Sequence, residues 1–123
     1  MTVRAEPSAT LAKGVSGERR PPIDLDHLNR QTLGNRQLQR EVLRLFMRHA
    51  DEQIELVKAA ATLTERREAA HGIVGSARGV GAFSVAYVAS EIELAKGPIE
   101  GRLRALFAAV ESARFFIMDF LAD

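Results

Sequence analysis

The sequence predicts an all-α fold: an up-down four-helix bundle with a short extra N-terminal helix. Three observations predict it. Apolar residues recur at three- and four-residue steps over long stretches. No segment alternates large apolar with polar residues, and no Asn-Gly pair signals a hairpin. Residues that start and stop helices divide the chain into four long helices with short connections, the pattern of an up-down bundle.

Residues 1–22 differ from the rest. Pro7, Gly14, Gly17, Pro21 and Pro22 sit among Ser, Thr, Arg and Glu, which reads as a flexible leader ahead of one folded domain over 23–123. A short first helix fits Asp24 to about Thr32, with Asp24 as N-cap and Gly34 ending it. Asn35 then caps a long second helix to about Ala60, whose expected core seam is Leu38, Val42, Leu45, Phe46, Ala50, Val57 and Ala60. Thr62 and Glu65 form a capping box for a third helix that ends at Gly81. The fourth helix covers about Phe83 to Lys96, where Lys96-Gly97-Pro98 marks its end and the restart. The fifth runs from about Ile99 to Leu121 along Ile99, Leu103, Leu106, Val110, Ala113, Ile117 and Phe120.

Composition narrows the function classes. At 123 residues, 46% hydrophobic and 27% charged, the chain is one globular domain. It has no cysteine, which excludes disulfides, thiol catalysis and cysteine–zinc sites. Seventeen basic residues, fourteen of them arginine, face sixteen acids, and the acids are interspersed, which argues against a nucleic-acid binder. Tryptophan is absent and tyrosine appears once, so no base-stacking surface is expected. The longest charge-free stretch, Gly79 to Ser90, is too short to span a bilayer. Arg4, Glu6 and Lys13 interrupt any signal-peptide core, so a cytoplasmic monomer is the expectation.

The third helix carries the unusual residues. On a wheel of about 100° per residue with His71 at zero, Ala69, Ala70, Ile73, Ser76, Ala77 and Val80 fall on one arc and face the core. His71 lies opposite, flanked by Arg67, Glu68, Val74, Gly75 and Arg78, and is expected to be exposed. Gly72, Gly75 and Gly79 interrupt the helix interior, each costing about 1 kcal/mol relative to alanine. Gly75 follows His71 by one turn on the same face, so a partner's surface can reach the imidazole. Gly72, Ser76 and Gly79 form a strip of small residues that equally suits close packing by a second helix.

The segment from Ala70 through His71, Gly72, Ile73, Val74, Gly75, Ser76 and Ala77 resembles the motif of a histidine-containing phosphotransfer (HPt) domain. Gly81-Ala82 and the run Glu91 to Ala95 extend the likeness, as does the approach to the first helix at Ile23 to Asp26. The resemblance covers about Ile23 to Leu121. It implies a helical bundle in which His71 accepts a phosphoryl group from a receiver domain's aspartyl phosphate and passes it to another receiver. The implied partners are receiver domains of hybrid histidine kinases and response regulators. No cofactor is implied for this chain; Mg²⁺ belongs to the receiver. The family usually has lysine three residues after the histidine, where Val74 stands here. Val74 is read instead as a small apolar contact for the partner. Arg78, two turns on, is the candidate for the missing positive charge, whereas Arg67, one turn before, leans away.

Other readings of the same residues are weaker. His49 reads as a partly buried or rim histidine on the second helix, and His27 as structural or incidental. No His-x-x-x-His pair supports a metal site. The glycines from 72 to 81 follow no strand and precede no Gly-Lys-Ser/Thr, so they are not a phosphate-cradling loop. Arg66-Arg67 reads as a solvated helix start that can also touch a partner, and Arg67 joins Val74, Gly75 and Arg78 as a candidate partner-binding or phosphoryl-binding residue. The rival function is a helical interaction module that binds signalling partners without phosphotransfer.

Overall fold

The structure, a computed structural model, describes residues 21–122. The leader reading therefore lies outside the described residues except for Pro21 and Pro22, which are not helical. Five helices follow: α1 (Leu25–Thr32), α2 (Arg36–Ala59), α3 (Leu63–Val80), α4 (Phe83–Leu94) and α5 (Glu100–Ala122). No strand occurs among the described residues. Each long helix packs on the next, α5 returns to α2, and α1 lies across α2 and α3. This is the expected up-down four-helix bundle with its short extra helix. No described helix is long and apolar enough to cross a membrane.

The caps explain the boundaries. The Asp24 carboxylate accepts from the His27 N–H, the Asn35 side chain from the Leu38 N–H, and the Thr62 hydroxyl from the Glu65 N–H. Glu65 reaches back to accept from the Ala61 N–H at 2.8 Å, one residue before the cap. Gly81 ends α3 at φ +86°, as its position suggested. Its N–H and carbonyl are both used: the N–H donates to Arg78, and the carbonyl accepts from the Asp24 N–H at 2.9 Å. A Cβ there would lie 2.9 Å from the Asp24 carbonyl oxygen, so the approach of α1 to the α3–α4 corner requires glycine. Helix α1 ends at Thr32, as expected; Leu33 already turns left-handed at φ +53°, and Gly34 follows at φ +74°.

The α2 seam differs from the sequence reading. Leu43, Phe46, Ala50, Ile54 and Val57 are buried, together with Gln39. Leu38 and Leu45 are exposed, and Val42 is half-buried. Helix α2 carries two apolar stripes, one facing the bundle and one beside it. The eight-residue α1 is too short to cover the second. The α5 seam is as expected: Leu106, Val110, Ala113 and Ile117 are buried, with Ile99, Leu103 and Phe120 packed against the core.

Polar ties fix the helices to one another. Gln39 donates to Asn29 (2.6 Å) and Thr32 (3.1 Å), holding α1 on α2. Arg114 donates to Asp51 at 2.6 Å and to Glu111 at 3.1 Å, linking α5 to α2. The hydrogen bond that Arg114 donates to the Asp51 carboxylate is the main cause that holds its guanidinium above its ordinary range.

Candidate functional site

Helix α3 is the platform. Its neighbours α2 and α4 approach from either side, so its outer face alone is open. His71 lies on that face with 73% of its side chain exposed, as the wheel required. On the α2 side, a Cβ at Gly72 would meet the Gln53 amide oxygen at 3.0 Å, and Ser76 shares a hydrogen bond of 3.1 Å with His49 Nδ1. Gly72 and Ser76 thus serve close packing against α2, whereas Gly75 and Gly79 have open space above them. The two readings of the glycines apply to different glycines.

The imidazole has a partner that the sequence reading assigned no role. Glu93, on α4, places Oε2 2.9 Å from His71 Nδ1. A carboxylate only accepts, so the shared proton sits on Nδ1, and in the neutral ring the lone pair is then on Nε2. The signal was present in the sequence. In an antiparallel helical hairpin, residues equidistant from the turn stand side by side. His71 and Glu93 are each eleven residues from Ala82, in the corner between α3 and α4. Arg66, farther from the corner, reaches across with its long side chain and donates to the carbonyls of Ala95 (2.8 Å) and Gly97 (3.1 Å), just past the end of α4. Arg66 therefore fastens the far end of the hairpin and is not the solvated residue it resembled.

Val74 needs correction. It is 4% exposed and belongs to the core, so it offers no apolar contact to a partner. The wheel treated one arc of α3 as buried, but α4 packs beside that arc and widens it to include residue 74. Arg78 is exposed and Arg67 half-buried, and neither has an ion-pair partner among the described residues. His49 is half-buried at the rim, as read. His27 is half-buried with its ring edge-on to Phe83 at 5.1 Å, a packing role. Among the described residues no group of three or more His, Asp or Glu side chains is placed to hold a metal ion.

Comparison with known families decides the class. The family model of the Hpt domain matches residues 41–114, more than half of the chain, with His71 inside the matched span. The chain belongs to the Hpt domain family. No curated protein and no solved structure matches it. Hpt domains are histidine phosphotransfer modules of phosphorelays. They carry a phosphoryl group and interact with receiver domains of two-component systems.

This Hpt domain has a second surface feature. An apolar groove of about 460 Å³ runs between α1, α2 and α3. Leu28, Leu38, Val42, Leu45 and Phe46 line it, and Ser76 and Gly79 form its edge on α3. The groove is the uncovered second stripe of α2. Gly79, with open space above it, lies both at the groove's edge and on the exposed side of α3.

Proposed function

We propose that His71 is the phosphoryl acceptor of a phosphorelay carrier that takes the group from one receiver domain's aspartyl phosphate and delivers it to another. The observation that carries this reading is the His71–Glu93 pair: an exposed imidazole with its Nδ1 proton held and its Nε2 free. Nε2 attacks the phosphorus as the bond to the aspartyl oxygen breaks, and the receiver's aspartate leaves as a carboxylate. No proton has to move. The ring keeps its Nδ1 proton, gains the Nε2–P bond and becomes cationic. The Glu93 carboxylate offsets that charge, as a carboxylate does for any histidine it orients. Return of the group reverses each step. The transition state is loose and spreads charge over the phosphoryl oxygens. Mg²⁺ and the acidic pocket belong to the receiver, and Arg78 lies on the open face where it can meet those oxygens. The groove beside Gly79 suits an amphipathic helix of the receiver.

The test is transfer of radiolabel from a phosphorylated receiver domain in the presence of Mg²⁺. Wild-type protein should acquire acid-labile label, and His71→Gln should acquire none while its unfolding midpoint is unchanged. Glu93→Ala should slow transfer roughly tenfold, the effect of about 1.4 kcal/mol. Glu93→Gln, which keeps an acceptor without the charge, should fall between. Label on the His71→Gln variant would mean that another side chain is the acceptor. Receiver binding without label on the wild type would favour the non-catalytic interaction module.

A further inference from the structure

We propose that the outer face of α5 pairs two copies of this chain, antiparallel, about a two-fold axis that passes between Glu111 and Ser112. This inference departs from the monomer expected from the sequence and does not depend on the role of His71.

Helix α5 has one face in the core, along Leu106, Val110, Ala113 and Ile117. The opposite face bears Phe115, 73% exposed, with Met118, 56% exposed, at its flank. Isolated exposed apolar residues are ordinary, but these two sit among exposed small residues, namely Gly101, Ala108 and Ala122. At about 100° per residue, Gly101, Arg104, Ala108, Phe115, Asp119 and Ala122 share an arc of roughly 60°.

The order of residues on this face is self-complementary. With the axis between Glu111 and Ser112, Phe115 of each copy lies over Ala108 of the other, a large side chain against a small one. Gly101 faces Ala122 of the other copy, which lets the ends approach. Arg104 faces Asp119 of the other copy, twice over. Neither Arg104 nor Asp119 has an ion-pair partner in its own chain among the described residues. A parallel pairing would set Phe115 on Phe115, Arg104 on Arg104 and Asp119 on Asp119, so charge selects the antiparallel arrangement.

The face is about 32 Å long and one helix, about 10 Å, wide. A strip of roughly 300 Å² per copy is well below the roughly 800 Å² per partner of a standard stable interface. The dimer is therefore weak and transient. Since α5 packs chiefly on α4 and α2, the pairing leaves both His71 faces open.

Sedimentation equilibrium on the full chain, up to about 1 mM, reads this directly. Wild-type protein should show a monomer–dimer equilibrium. Phe115→Asp should raise the dissociation constant at least tenfold, with helical content unchanged. Arg104→Asp and Asp119→Arg should each weaken association alone, because each juxtaposes like charges. An equimolar mixture of those two variants should recover association, because the heterodimer restores both ion pairs. A strictly monomeric wild type, association indifferent to Phe115→Asp, or a mixture that fails to recover would overturn the proposal.

Discussion

Three glycines interrupt α3, and replacing them one at a time separates scaffold from docking surface. Gly75 and Gly79 have nothing within 4 Å of a built Cβ, so alanine fits at either. Each substitution removes a helix penalty of about 0.8–1.0 kcal/mol. In a domain of about 100 residues, 1 kcal/mol moves the midpoint by roughly 4–8 °C, so both variants should melt several degrees higher. At Gly72 the new Cβ meets the Gln53 amide oxygen at 3.0 Å. That atom ends a flexible side chain, so the amide swings aside and the gain shrinks toward zero. Function should separate Gly75 from Gly79. Gly75 stands one turn, about 6 Å, after His71, and a side chain there leans back toward the imidazole. Gly75→Leu should thus fold stably yet transfer phosphoryl poorly, while Gly79→Ala transfers at close to the wild-type rate. Thermal unfolding followed by circular dichroism gives the stabilities, and label transfer from a phosphorylated receiver gives the rates. A stable Gly75→Leu variant with normal transfer would refute the docking role of that glycine. A Gly75→Ala variant that melts lower would refute the open space assigned to it.

Other substitutions test separate features. Arg78→Ala should slow transfer more than Arg67→Ala does, because Arg78 is exposed on the open face and Arg67 is half-buried; equal rates would remove Arg78 from the site. Gly81→Ala should destabilise the protein by about 2–4 kcal/mol, combining a left-handed backbone with contact on Asp24, and denaturant titration would show it. Leu33→Gly should stabilise by about 0.5 kcal/mol. It relieves the positive φ and loses no burial at a residue 92% exposed, although the more flexible unfolded chain takes back part of the gain.

Local chemistry determined the helices. Asp24, Asn35, Thr62 and Gly81 bound their helices where their side chains or their lack of one demand it, since capping involves neighbours within four residues. His71 could be placed on an open face because one arc of α3 is rich in small and apolar residues. The α5 seam was legible for the same reason. What a single helix cannot reveal is how many neighbours flank it. Val74 is buried because α4 closes on a side of α3 that the wheel left open, and Leu38 and Leu45 are exposed because α1 is too short to reach them. Only the hairpin geometry set Glu93 against His71, across 22 positions of sequence, and so decided which ring nitrogen is free. Periodicity within a helix records that one face is apolar. Which faces meet is a property of the packed bundle, because it depends on distances between helices that no local pattern contains.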